Sequence, residues 1–389
     1  MEKAINSRGM FPLVIVLGLF LAGIISDVLA KPAKNFPVED SSWRNEITAP
    51  DTNAATLEKQ SGSWKVGGFP IIFYSDETRW AGGAGVQWVR QTKSKKHSSS
   101  IGIIGFYTQN KQYVFQISPD LYLKAGAYLF SAGIGHSYYP DKFYGIGNHT
   151  HRDDEEDFTY RSFGIRPSVQ KRLFANLYVG VQYDFSDEKL TEIEEGKLLA
   201  SGTISGSNGG SVSGFGLVAS WDSRNDNLYP TQDSYHQFTA IFYQSALGSD
   251  FNFDSYRLDL RHYLRVFNQQ ILALQGIISI NTGNPPFQSL NPLGLFLRGY
   301  YQNRFVDKNL IAGQAEYRLP LIGRFGLVGF VGCGQVARII ENFAIQELKP
   351  SAGFGIRFAV VPEQKVNLRI DFGFGKDDSS FDISLMELF

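Results

Sequence analysis

The residues best equipped for chemistry sit in a connection rather than in an element. Residues 297-LRGYYQNRF-305 follow 284-NPPFQSLNPLG-294, a stretch of Pro, Gly and Asn, and they place Arg298 between Leu297 and Gly299 with Tyr300 next. A guanidinium grips a carboxylate through two parallel hydrogen bonds, and an unpaired one is costly in a dry interior. Glycine turns the chain tightly, and tyrosine joins an apolar body to a polar tip. That set suits a clamp. A second set is 149-HTHRDDEED-157, with two histidines and five acids. Clustered carboxylates suit hard divalent cations, which makes His149, His151, Asp153 and Asp154 weak candidates for a metal, although such runs also read as solvated loops. The sequence has no G-x-S-x-G elbow, phosphate-binding loop, H-E-x-x-H or paired-cysteine pattern, so neither an enzyme nor a cofactor is expected. The single cysteine, Cys333, precludes an internal disulfide. A net charge of −1 and one short basic run, 93-KSKK-96, argue against a nucleic-acid partner.

What must position these residues is a long series of strands. Aromatics make up 14% of the 389 residues, glycines number 40 and charged residues reach only 19%, a balance that favours strands and turns over helices. The pattern is period two. In 177-LYVGVQYDF-185, Leu177, Val179, Val181, Tyr183 and Phe185 alternate with Tyr178, Gly180, Gln182 and Asp184. In 255-SYRLDLRHYLR-265, Tyr256, Leu258, Leu260 and Leu264 oppose Arg257, Asp259, Arg261 and Arg265. About sixteen such segments run from residue 67 to residue 389. Long connections near 139–157, 187–210, 284–309 and 339–349 alternate with short ones at 171–176, 266–269, 320–324 and 361–365. An even strand count with short turns on one rim and long loops on the other predicts an all-β fold, a transmembrane antiparallel barrel of about 16 strands. Its long loops are extracellular and its short turns periplasmic.

The N-terminus carries an export signal. Lys3 and Arg8 precede the apolar run 11-FPLVIVLGLFLAGII-25, and Ala30 ends a cleavage-like site, so residues 1–30 read as a signal peptide. Residues 31–66 read as a polar periplasmic tail and 67–389 as the barrel, with the cell outer membrane of a Gram-negative bacterium as its location. The chain closes on 381-FDISLMELF-389, read as a last strand ending in an aromatic residue, with Glu387 where an apolar residue is common.

Several segments together resemble one family. Residues 297-LRGY-300 resemble the [V/I/L]-R-G-[F/Y] signature of the BamA/TamA family of bacterial surface-antigen barrels, which includes the two-partner secretion transporters. Upstream, 221-WDSRNDNLYPTQDSY-235 is similar to the family's short periplasmic turn, with Asp222, Arg224 and Pro230 in place and Asp233 where glycine is usual. The pieces 140-PDKFYGIGN-148 and 368-LRIDFGFG-375 also resemble family strands. The resemblance covers about residues 67–389 and implies that the loop folds back into the lumen, with Arg298, Gly299 and Tyr300 held against acids of the inner wall. Glu316 carries over as the first acid. The second belongs to an F-x-D-x-G pattern that reads 330-FVGCG-334 here, so Gly332 supplies no carboxylate and Asp371, on the polar face of its strand, is the substitute.

The resemblance also implies a role in outer-membrane biogenesis, inserting or translocating proteins or lipids, through first and last strands that pair weakly. Its expected partners are outer-membrane lipids and lipopolysaccharide, the machinery that assembles the barrel itself, and client outer-membrane proteins. Family members receive clients through periplasmic POTRA domains, and the stretch between Ala30 and the barrel has no room for one, so a stand-alone barrel is expected. The competing reading is a passive pore or a structural, adhesive surface barrel.

Overall fold

The computed structural model describes residues 63–75, 79–92, 97–267, 269–361 and 366–389. The expected signal peptide and nearly all of the expected tail lie outside the described residues. Sixteen strands form one antiparallel barrel wall: β1 (Lys65–Ser75), β2 (Arg79–Gln91), β3 (Ser98–Thr108), β4 (Tyr113–Leu123), β5 (Tyr128–Phe143), β6 (Glu156–Phe174), β7 (Leu177–Ile193), β8 (Gly210–Asp222), β9 (Asp233–Tyr243), β10 (Phe253–Arg265), β11 (Ile271–Asn281), β14 (Asn309–Pro320), β15 (Phe325–Ala337), β16 (Lys349–Val361), β17 (Val366–Gly375) and β18 (Asp378–Leu385). Between β11 and β14, the two-residue strands β12 (Asn291–Pro292) and β13 (Val306–Asp307) pair with each other and brace the base of the long loop. No helix among the described residues is long and apolar enough to cross a membrane; the crossing is made by strands.

Alternation decides which way each side chain points. On β7, Val179 and Val181 are exposed on the outside, whereas Tyr178 and Asp184 are buried inside. Along β14, Glu316 and Arg318 are buried and their neighbour Tyr317 is exposed. The apolar outer face therefore meets lipid and the polar face lines the lumen. Strands β5, β6 and β7 run to 16, 19 and 17 residues, well beyond the roughly 9–11 that a tilted strand needs to cross a bilayer. Their alternation continues into stretches that composition alone reads as loop.

Among the described residues, no ladder joins the two ends of the wall. The ladder order runs from β1 to β18 without a β1–β18 pairing among the described residues. β1 lies near β16, and β18 lies near β2.

The final segment differs from the strand expected through Phe389. β18 stops at Leu385, and Met386 takes a positive φ of 68° that turns the chain inward. Glu387 is drawn to the Arg357 guanidinium at 2.8 Å and accepts from Asn367 at 2.9 Å. Phe389 is buried against Tyr263 and Ala273. Glu387 is thus not a defective apolar position; it is a luminal carboxylate.

Candidate functional site: an arginine held inside the barrel

The long loop between β11 and β14 is packed inside the wall. Leu293, Leu297, Tyr300 and Phe305 form one buried cluster with Ile277, Leu310, Ala312 and Val336 of β11, β14 and β15. Burying these side chains seats the loop; polar contacts then fix its register.

Arg298 stands at the centre. Its Nη1 lies 2.8 Å from Glu316 Oε2 and 2.7 Å from Asp371 Oδ2. The guanidinium also lies over the Phe330 ring, 3.5 Å from its centroid. Phe330 is the aromatic of the F-x-D-like pattern; it offers a ring face where the missing acid would have offered charge. The absence at Gly332 has a steric counterpart. A Cβ there would meet Leu297 Cδ1 at 2.6 Å and the Gly313 carbonyl at 3.0 Å, so the leucine of the signature occupies that space.

β17 supplies both the second acid and a slot for the backbone. Asp371, Gly373 and Gly375 share its inner face. A Cβ on Gly373 would fall 2.4 Å from the Gly299 nitrogen, and one on Gly375 would fall 2.5 Å from the Tyr300 ring. Gly299 itself has φ of 107°, and its own Cβ would strike the Phe374 backbone at 2.6 Å. Three glycines therefore let two backbones touch. The contact is then pinned: Gly299 N–H donates to Ser380 Oγ at 2.8 Å, Ser351 Oγ donates to the Arg298 carbonyl, and Tyr300 O–H donates to the Pro350 carbonyl at 2.5 Å. Further along, Tyr301 O–H and Asn303 Nδ2 donate to the two oxygens of Asp141, at 2.7 and 2.8 Å.

The carboxylates are shared. Glu316 also receives Arg318 Nε at 2.8 Å and has Arg357 at 3.6 Å; Asp371 receives Arg357 Nη1 at 2.5 Å and has Arg369 at 3.4 Å. Arg357 passes on to Glu387, and Arg369 to Asp382. The sequence reading missed Arg357, Arg369 and Glu387. Arg357 and Arg369 occupy alternate inward positions, a signal present in the text, but their convergence depends on the register that sets Arg357 opposite Arg369 on β16 and β17.

The periplasmic turn joins this network. Asp222 and Arg224 form a buried bidentate pair, with Nε and Nη2 each 2.9 Å from the carboxylate, and Arg224 lies 4.3 Å from the Tyr235 ring centroid. Pro230 offers its carbonyl to Arg318 Nη1 at 3.4 Å, and the same arginine reaches the Phe389 carbonyl oxygen at 2.6 Å. Arg318 thus links the turn, the segment after β18 and the arginine clamp through Glu316. Asp233, at the position where glycine is usual, adopts the left-handed φ of 69° that such a position requires.

The histidine and acid loop is organised differently. His149 Nε2 lies 3.1 Å from Glu347, and the Asp154 carboxylate accepts from the His151 N–H at 2.9 Å, capping a short 3₁₀ turn over Arg152–Asp154. His149, His151, Asp153 and Asp154 do not converge, and no metal-holding group of three or more such residues occurs among the described residues.

Comparison with known proteins places this geometry. An Omp85 superfamily domain matches residues 104–382. The fold is similar to that of BamA from Haemophilus ducreyi lacking POTRA domains 1–3, with a TM-score of 0.51 at 12% identity over 84% of this chain and 69% of that one. CdiB from Escherichia coli superposes with a TM-score of 0.51 at 9% identity, over 83% of this chain and 61% of that one. CdiB from Acinetobacter baumannii gives 0.50 at 11% identity, over 83% and 59%. This chain therefore spans about three fifths of the CdiB proteins, and at these identities the likeness is one of fold. No curated protein matches the sequence. The matched domain covers well over half of the chain, which belongs to the Omp85 superfamily and is an outer-membrane β-barrel.

Proposed function

We propose that this barrel inserts or translocates a protein or lipid client at the seam between its first and last strands, with the lumen kept closed, rather than conducting solutes as a passive pore. One observation carries the reading: the lumen is occupied by a loop and a terminal segment tied into a single buried charge network, while β1 and β18 share no ladder among the described residues. A buried network with every carboxylate paired holds one arrangement firmly. An unpaired strand edge is the natural template for another strand. What remains of the lumen includes a cavity of about 390 Å³ bordered by Arg166, Asp184, Arg257 and Leu295.

The test is conductance of the purified full chain in planar bilayers, combined with a photo-crosslinker placed at Phe381 on β18 in cells. We expect rare, small openings and crosslinks to newly made outer-membrane polypeptides or to lipid. A large, stable, constitutive conductance without such crosslinks would establish the passive pore instead.

A further inference from the structure

Beside the plug, three cavities of the lumen adjoin one another. The one of about 390 Å³ lies under the long loop, against β5–β10. A second, of about 270 Å³, lies between β9, β10, β11 and β14 and the plug residues Leu295, Phe296 and Leu388. A third, of about 460 Å³, reaches the periplasmic turn at Asn227 and Leu228 and is bordered by residues 386–389. Residues that line two cavities mark where they meet. The first and second share Arg257 and Leu295; the second and third share Gln237, Arg261 and Leu388; the first and third share Arg166. Every charged residue at a junction is an arginine.

Two of these arginines have their own acids. Arg166 Nη2 lies 3.0 Å from Asp184, which also accepts from Tyr243 O–H at 2.6 Å. Arg261 holds Asp259 through Nε and Nη2, and Gln275 donates to the same carboxylate at 3.0 Å. Arg257 has no such acid. Its guanidinium lies 5.3 Å from the Phe296 ring centroid and makes no ion pair among the described residues. Thr239, directly opposite it on β9, adds a hydroxyl to the lining of the second cavity. A guanidinium drawn out of bulk water without a carboxylate calls for an anion.

The remaining acids along the route stand away from the junctions. Glu188 lies four residues nearer the outside than Asp184 on β7. Asp184 is level, through Gly214 and Tyr243, with Phe253, itself four residues nearer the outside than Arg257. Together those steps amount to about 26 Å of strand. Asp141 lies further out again, engaged by Tyr301 and Asn303. On the periplasmic side, Glu387 is held by Arg357. Asp120 is level, through Ser131, with Ser168, nearer the periplasm than Arg166 and two strands away from it.

We propose that Arg257 binds a small monovalent anion, and that the three junctions form an anion-selective passage between the plug and the wall through which the barrel's brief openings conduct. The inference rests on the closed lumen proposed above and not on any client. Arginine and lysine side chains select anions where a pore narrows. One surplus positive charge about 7 Å from a passing ion favours an anion over a cation by about sevenfold, even at the dielectric constant of water.

The experiment is single-channel recording of the purified full chain in planar bilayers under an about tenfold KCl gradient, with R257Q, R257E and R257K beside the wild type. After salt screening, the wild-type reversal potential is expected to give a chloride preference over potassium of at least about threefold. R257K should keep that ratio, R257Q should bring it close to one and R257E should invert it. Band shift of unheated samples on gels verifies folding, and R257Q and R257K decide the matter if R257E does not fold. A wild type selective for potassium overturns the inference, as do R257Q openings with the wild-type ratio or a folded wild type that never opens. A large, stable conductance overturns the closed lumen and this inference with it; small openings without anion preference overturn this inference alone.

Discussion

Removing Glu316 should harm this barrel more than removing Arg298, although the two touch. Arg298→Ala deletes a charge-assisted hydrogen bond to Asp371, worth about 1.5–3 kcal/mol, together with an ion pair to Glu316. It leaves no carboxylate alone, because Glu316 keeps Arg318 and Asp371 keeps Arg357. The expected loss is about 3 kcal/mol, confined mainly to the seating of the loop. Glu316→Ala withdraws the carboxylate shared by Arg298, Arg318 and Arg357, and breaking even one buried pair costs about 3–5 kcal/mol through the charge left behind. We expect it to exceed Arg298→Ala by at least about 1 kcal/mol. The double variant should fall short of the sum by about 1–3 kcal/mol, since the two side chains share one contact. Urea unfolding in detergent micelles, followed by gel band shift, measures the three variants, and limited proteolysis near Tyr300 reports the loop. Additivity within about 0.5 kcal/mol, or an Arg298→Ala loss equal to that of Glu316→Ala, would refute the shared-carboxylate account.

Two further predictions follow from geometry. Gly373→Ala should unseat the loop at a cost of about 1–3 kcal/mol, because its Cβ has no room beside the Gly299 nitrogen, and Gly332→Asp should loosen rather than tighten the clamp because Leu297 fills the space; increased cleavage near Tyr300 in both is the check, and unchanged protease resistance counts against the packing. Leu258→Arg, on the lipid face, should impair assembly by about 2–4 kcal/mol near the midplane, whereas Arg257→Gln loses chiefly a contact with the Phe296 ring; equal folded yields for the two would contradict the face assignment.

How far the sequence reaches is set by the kind of information each feature needs. Alternation is local, so the inward and outward assignments on β7, β10 and β14 can be read from a few residues. Arg298 and Glu316 were legible through the family signature, because a motif records which faces carry acids, whereas Asp371 was legible only from the polar face of its strand, since the signature's second acid falls on Gly332. Register is not local. Nothing in 355-GIRF-358 says that Arg357 lies opposite Arg369, or that Glu387 turns inward to meet it. The inward turn at Met386 was equally hidden, since 381-FDISLMELF-389 satisfies a strand pattern until a luminal cation competes for its acid. Leu297 filling the space beside Gly332 is a volume relation, visible only once two strands and a loop are placed together.

The segment after β18 also sets an order of events. Its contacts are with Arg318, Arg357 and Asn367, and with Tyr263 and Ala273 on β10 and β11, so the pocket that receives Phe389 is assembled from strands up to 126 residues earlier in the chain. A contact of that sequence separation carries a large loop-closure entropy and forms late. Until those strands have met, residues 386–389 have no pocket to enter. Burial of Phe389 against Tyr263 and Ala273 therefore couples the end of the chain to its middle: the last four residues settle only once β10 and β11 stand within reach of β14, β16 and β17.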